Sequence, residues 1–172
     1  MRLGLVQVYT GSGKGKTTAA IGQAIRACGH GLKVIMIQFM KGREYGELKL
    51  ARWIDNFTVE QYGLDTFVEK NKPTEEDLKL ARNGLERARQ VIMSNDYDMV
   101  ILDEINVAID YGLIELDIVV DLIRNKPKGV ELILTGRYAP REIIQIADLV
   151  SEIKEIKHHY TRGIKARKGI EY

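Results

Sequence analysis

Apolar residues in this chain gather into short runs divided by polar, glycine-bearing connections, and the runs alternate between two periods. VIMIQF, residues 34–39, is an almost unbroken apolar run of strand length, the pattern of a strand covered on both faces in a parallel sheet. VELILTG, 130–136, reads the same way, and DMVILDEIN, 98–106, reads as an apolar strand ending in Asp103 and Glu104. Residues 3–9 give a first strand, 57–62 a short one, and the stretch from Leu149 a possible sixth.

Helical spacing fills the gaps between them. Residues 15–28 carry Ala19, Ala20, Ala24 and Ala27 on one thin face suited to close packing on a sheet, and His30 and Gly31 end that helix. A short helix over 47–54 carries Trp53, read as a packing residue. From Thr74, with Asp77 three residues on, a long helix runs to about Ser94 with an apolar stripe of Leu78, Ala81, Leu85, Ala88 and Ile92. Residues 114–124 form another, and Pro140 opens the last at its first turn. Strand and helix in alternation predict an α/β fold, a mostly parallel sheet of five or six strands flanked by helices, in one domain over 1–172.

Composition changes this picture little. The 172 residues are 45% hydrophobic and 29% charged, and a net charge of +2 is too small to predict a nucleic-acid or membrane surface. Cys28 is the sole cysteine, so no intrachain disulfide is expected. No apolar run approaches the roughly 20 residues of a membrane span, and the chain enters its first strand without a signal-like segment. The expected location is cytoplasmic.

The chemistry concentrates in VQVYTGSGKGKTTAA, residues 6–20. A strand end, a loop containing Gly11, Gly13 and Gly15, and a helix start at Thr17 follow in the order that a phosphate-binding loop requires. Backbone N–H groups and the helix N-terminus converge on an anion, Lys16 adds a mobile charge, and the Thr17 hydroxyl suits a phosphate-bound magnesium. The common pattern G-x-x-x-x-G-K-[ST] wants glycine at position 10, where this chain has Thr10. The cradle is one residue short when counted from Gly11, and it holds its phosphates differently from a standard hydrolase.

Asp103 and Glu104 supply the acidic partner of such a loop, since magnesium between phosphates takes one or two carboxylates plus water. Either acid can instead cap a loop. Arg137, just past the 130–136 strand, suits a triphosphate oxygen or a plain salt bridge. The polar loop of Lys41, Gly42, Arg43, Glu44, Tyr45 and Gly46 lies at the strand edge where open α/β sheets bind ligands, as a substrate contact or as a solvated connection. Gly63 to Pro73 is irregular, carries Phe67, and is of a size more often functional than idle. In the tail KHHYTRGIKARKGIEY, His158 and His159 are adjacent, which on a strand turns them to opposite faces and disfavours shared zinc. The tail's basic residues read as a solvated end or as a surface for an anionic partner.

Taken together, TGSGKGKTTAA, IQFMKG, ILDEIN, LTGRYAP, ADLVSEI and the closing KHHYTRGIKARKGIEY resemble, nearly end to end, the P-loop family of ATP:cob(I)alamin (corrinoid) adenosyltransferases. The resemblance implies a three-layer, RecA-like P-loop fold. It implies transfer of the 5′-deoxyadenosyl group of ATP to the cobalt of a reduced corrinoid with release of triphosphate, in adenosylcobalamin biosynthesis or salvage. The nucleotide then lies in reversed polarity, with its γ-phosphate where a hydrolase holds a nearer one. Matched by motif, Gly11 and Ser12 through Gly13, Lys14, Gly15, Lys16, Thr17 and Thr18 wrap the phosphates, and Arg137 contacts the terminal one. Lys16 and Arg137 stabilise the leaving charge. Thr17 and Glu104 hold magnesium, for which manganese is an alternative, and Asp103 acts one shell further out. Lys41 and Phe67 are the corrinoid contacts, Phe67 standing in for the aromatic wedge that the family places after its third strand. The tail departs from the family pattern at His159, where proline is frequent, and at Arg167, where glutamine is frequent. A homodimer and an electron-donating flavoprotein complete the expectation, with no nucleic-acid or membrane partner. The rivals are an ordinary NTPase with Glu104 polarising water, and a RecA-like nucleic-acid module using the basic tail.

Overall fold

In the computed structural model, which describes residues 3–172, the apolar runs become the middle of a six-stranded sheet whose paired neighbours are all parallel. The strands are β1 (Val6–Thr10), β2 (Val34–Phe39), β3 (Phe57–Tyr62), β4 (Met99–Asp103), β5 (Glu131–Thr135) and β6 (Leu149–Glu152), in the order β3-β2-β4-β5-β1-β6. β2, β4 and β5 are buried at every position, which is why their sequences are continuous apolar runs. The edge strand β6 is exposed throughout.

Alternating side chains divide the core into two layers. Val34, Met36, Met99, Ile101 and Ile133 pack with Ala20, Ala24 and Ala27 of α1 (Lys16–Gly29). These small alanines let that helix lie close to the sheet, as the sequence predicts, but Ala19, expected on the same face, is exposed because it lies on the side of the helix turned away from the sheet. Ile35, Ile37, Phe39, Val100, Leu102, Leu132 and Leu134 face the other way. They meet α3 (Glu75–Ser94) through Ala81, Ala88 and Ile92, α4 (Ile105–Asp110) through Ile105 and Ala108, and α5 (Leu116–Asn125) through Val119 and Leu122. Ile143 of α6 (Arg141–Ile146) closes this layer. The Thr74 side chain accepts from the Asp77 N–H while the Asp77 carboxylate accepts from the Thr74 N–H, so the predicted capping box starts α3. Among the described residues no helix is long and apolar enough to cross a membrane.

Several expectations need correction. The first strand begins at Val6 and includes Thr10. The helix expected over 47–54 is α2 (Gly46–Ala51), and Trp53 beyond it is 84% exposed, outside the core of the described residues. The sequence reading had no helix between the 98–106 run and residue 114, yet α4 begins one residue after Glu104. Glu104 takes a left-handed backbone (φ 61°), which turns the chain sharply enough for Ile105 to start a helix and bury its side chain. His158 and His159 do not point apart: a 3₁₀ turn over His159–Arg162 stacks their rings 4.5 Å apart.

Candidate active site

The carboxyl ends of β1, β2, β4 and β5 open into a cleft of about 680 Å³. One side is the glycine loop. Gly11 (φ 100°) and Gly15 (φ 120°) adopt backbone conformations that side-chain-bearing residues rarely reach. The loop also lies against the end of β6, where a Cβ on Gly11 would come 2.4 Å from the Ile153 carbonyl oxygen. The Gly13 N–H donates to that same oxygen at 2.7 Å, and the Ile153 N–H donates to the Thr10 carbonyl at 2.8 Å. The end of β6 therefore acts as a brace behind the loop.

Lys16, the first residue of α1, is only 7% exposed, and its ammonium donates to the Gly13 carbonyl at 2.7 Å. Burial pulls its pKa below the ordinary lysine value, and the Glu104 charge acts against that fall. No side chain caps α1 and no acid stands in its first turn, so the positive pole of the helix faces the cleft unclaimed. Lys14 turns outward to the tail, donating to Glu171 at 3.0 Å and to the Ile170 carbonyl at 3.3 Å.

Asp103 ends β4 at the floor of the cleft, fully buried. It accepts from the Thr17 hydroxyl at 2.8 Å, from the Thr135 hydroxyl at 2.6 Å and from Gln38 at 3.1 Å. Lys41 donates to it at 2.7 Å. Burial alone would raise the Asp103 pKa, but the Lys41 charge and these hydrogen bonds outweigh it and hold the carboxyl below its usual range. Lys41 was expected at the corrinoid. It lines the cleft, but its ammonium is committed to Asp103.

Glu104 is placed differently from its neighbour. Its carboxylate lines the cleft and, among the described residues, takes no hydrogen bond and no ion pair. Burial, with Asp103 beside it, holds its carboxyl above the usual range. A carboxylate without a hydrogen bond, lining the same cleft as Thr17 and the glycine loop, fits a magnesium site of the kind that borrows most of its ligands from phosphate and water. Among the described residues no cluster of three or more His, Cys, Asp or Glu is arranged to hold a metal.

The cleft is also lined by aromatic and apolar side chains: Tyr45, Phe67, Val68, Val107, Tyr111 and Tyr138. Phe67, 89% exposed on the rim, lies under the Arg43 guanidinium at 5.1 Å, and Asp65 pairs with Arg43. Arg137 lines the cleft just past β5 and is followed by Tyr138 in a left-handed conformation (φ 61°). Met40 after β2 (φ 59°) and Glu104 after β4 share that conformation and that cleft. Three strained side-chain-bearing residues at one sheet edge are the backbone signature of a functional site.

Sequence reasoning brought the glycine loop, Glu104, Arg137, Lys41 and Phe67 to this cleft; the structure lines it with Gly13 through Thr18 and the other four, while Gly11 and Ser12 lie outside its lining. It missed Tyr111 and Tyr138, although Tyr138 stood inside the quoted motif LTGRYAP. It read the tail as a solvated end or as a surface for an anionic partner and did not place it at the cleft, which exposed Gly169, Ile170 and Tyr172 border together with Glu171. The Lys14–Glu171 pair spans nearly the whole chain, so no local pattern announces it.

Comparison with known proteins agrees with the geometry. The family described as ATP:corrinoid adenosyltransferase BtuR/CobO/CobP matches residues 2–172. A corrinoid adenosyltransferase of Escherichia coli (strain K12) is 39% identical, covering 98% of this chain and 86% of the relative. One from a Sinorhizobium species is 37% identical, covering 98% and 80%. The corrinoid adenosyltransferase CobA of Salmonella typhimurium (strain LT2) is 36% identical, covering 98% and 86%. With the glycine loop and several aromatic side chains lining one cleft, and with these matches along the whole chain, the protein belongs to the ATP:corrinoid adenosyltransferase family.

Proposed function

We propose that the glycine loop grips ATP by its triphosphate and leaves the ribose C5′ open toward the aromatic wall, where a reduced corrinoid attacks it. The observation that carries this reading is the pairing of a polyphosphate cradle with the wall of Tyr45, Phe67, Val68, Tyr111 and Tyr138 in one cleft. Gly11, Ser12, Gly13, Lys14, Gly15, Thr18 and the first turn of α1 hold the phosphates in the polarity reversed from a hydrolase. Lys16 and Arg137 balance the charge that develops on the departing group. Thr17 and Glu104 hold magnesium, with manganese as a substitute, and Asp103 fixes the Thr17 hydroxyl from behind. The bound ion supplies further charge neutralisation at the triphosphate.

The reaction asks little covalent chemistry of the side chains. The lone pair of cobalt(I), itself a strong nucleophile, forms the Co–C5′ bond as the C5′–O bond breaks, and triphosphate leaves with the bonding pair while cobalt ends formally as cobalt(III). Positioning and electrostatic stabilisation suffice, and a preorganised contact on the leaving charge is worth about 3–4 kcal/mol in a desolvated site. Phe67 presses on the corrin face and keeps a lower axial base off the cobalt. Lys41 contributes to the corrinoid side only through its place beside Asp103. Because the attacking cobalt must arrive as cobalt(I), a separate electron donor supplies it, a flavoprotein in this reading. The working form is a cytoplasmic homodimer.

Product analysis tests the proposal. ATP, magnesium and chemically reduced cobalamin should give triphosphate and adenosylcobalamin in equal amounts. ADP and phosphate as main products would overturn it in favour of an ordinary NTPase. Repeating the assay with reduced cobinamide and an earlier corrinoid identifies the preferred acceptor.

A further inference from the structure

One ammonium on the aromatic side of the cleft joins three segments that are far apart in sequence. Lys70 belongs to the irregular loop between β3 and α3, the loop that also carries Phe67. Its Nζ pairs with Asp110 at 2.5 Å, at the end of α4. The same Nζ lies 5.6 Å from the ring centre of Tyr111 and 5.4 Å from that of Tyr138, the residue after Arg137. An exposed ion pair by itself orders little. A cation shared between two aromatic faces and a carboxylate fixes the position of each of them relative to the other.

We propose that Lys70 is a positioning residue for the corrinoid side of the cleft: it cross-links the Phe67 loop to α4 and to the loop after β5, and so sets the wall on which the corrin ring rests. This inference rests on the transferase reading above and deepens it. The strain at Tyr138 supports it. A tyrosine with φ 61° and 58% exposure has little core packing to hold that backbone, and the Lys70 contact is a restraint the structure provides. The phosphate side is held by other means, namely α1, β1 and the brace from β6, none of which involves Lys70. Loss of the cross-link should therefore reach the corrinoid and spare the nucleotide.

Two measurements on the full-length protein test this. In steady-state transfer to chemically reduced cobalamin, Lys70→Met should raise the corrinoid KM about five- to tenfold and leave the ATP KM within about twofold, while Lys70→Arg, which keeps both the charge and the contact with the rings, should return the corrinoid KM to near its original value. An unchanged corrinoid KM, an equal rise in both KM values, or no rescue by arginine overturns the proposal. Amide hydrogen exchange on the ligand-free protein asks about the cross-link whatever reaction is catalysed. Lys70→Met should speed exchange both in residues 63–73 and in residues 136–140, and acceleration confined to 63–73 overturns the cross-link. If the unsubstituted protein makes ADP and no adenosylcobalamin, the transferase reading falls separately, and the exchange experiment still decides whether Lys70 joins the segments.

Discussion

The Lys41 ammonium lies 2.7 Å from the Asp103 carboxylate at the floor of the cleft, with 14% of the lysine side chain and none of the aspartate exposed. Asp103 in turn orients the hydroxyls of Thr17 and Thr135. Replacing Lys41 by methionine keeps the volume and strands a buried charge, a loss of about 3–5 kcal/mol in comparable buried pairs. Urea denaturation should show that loss at neutral pH. Asp103→Asn in the same background should recover most of it, because the neutral amide leaves no charge uncompensated. Recovery failing to appear would mean that Lys41 acts through packing.

Among the described residues the Lys16 side chain hydrogen-bonds only to the Gly13 carbonyl within its own loop, so the fold depends on it little. Lys16→Met should change thermal stability slightly while lowering kcat about 10²- to 10³-fold, the cost of removing one preorganised charge contact. Calorimetry with ATP should show weakened binding as well. Unchanged kinetics would remove Lys16 from the site.

The Glu104 carboxylate takes no hydrogen bond among the described residues, so the magnesium role proposed for it is separable from the fold. Titrating magnesium against the ATP-loaded protein should show Glu104→Gln weakening metal affinity at least about tenfold, a loss that even outer-shell partners can produce. Chelation should weaken ATP binding strongly in the unsubstituted protein and little in the variant. Equal sensitivity of the two proteins to chelation would place the ion elsewhere.

The sequence carried the fold well where the cause was local. The apolar run of β2, the capping box of α3 and the alanine face of α1 are each visible in a few consecutive residues and are realised in the structure. What escaped was set by single backbone reversals or by distant pairing. α4 was hidden because Glu104 continues an acidic strand end in sequence, and only its left-handed conformation reveals a turn. The glycine loop was legible as a phosphate cradle, but its brace from Ile153 was not, since that contact depends on where β6 joins the sheet. Tyr111 reaches the cleft from α4, an element the sequence reading did not contain, and Tyr138 reaches it through an improbable φ. Trp53 was read as a packing residue on residue type alone and is 84% exposed.

Arg87 on α3 forms a forked pair with Glu60 on β3, its Nε and Nη2 atoms within 2.9 to 3.2 Å of the carboxylate oxygens. Hydrogen bonding from Arg87 holds the Glu60 carboxyl below its usual value of 4.5. A carboxyl lowered in the folded state contributes stability above the unfolded value, and that contribution disappears as pH falls through the lower folded value. Arg87→Met should therefore cost about 0.5–1 kcal/mol at pH 7, as fits a partly exposed pair. The difference from the unsubstituted protein should shrink below about pH 4.5. Denaturant midpoints across pH 3 to 7 check the trend, and a gap that stays constant with pH would exclude a charge origin.

Gly11, Gly15 and Gly31 all hold positive φ, at 100°, 120° and 78°, but for different surroundings. A Cβ on Gly31, just past α1, meets nothing within 4 Å, so Gly31→Ala should show only the conformational cost, about 1 kcal/mol, and leave ATP binding intact. Gly15→Ala finds similar room, its nearest neighbour being the Ile153 side chain at 3.9 Å, yet it distorts the turn into α1. It should cost about 1–3 kcal/mol and weaken ATP binding as well. Gly11→Ala adds a clash with the Ile153 carbonyl at 2.4 Å, which only a shift of β6 can relieve. Thermal melts should rank the losses Gly11, then Gly15, then Gly31, and hydrogen exchange at the Ile153 amide, which donates to the Thr10 carbonyl, should accelerate in Gly11→Ala alone. If that amide stays protected in Gly11→Ala while ATP binding fails, the loop depends on its own turn geometry and the brace from β6 is incidental to nucleotide binding.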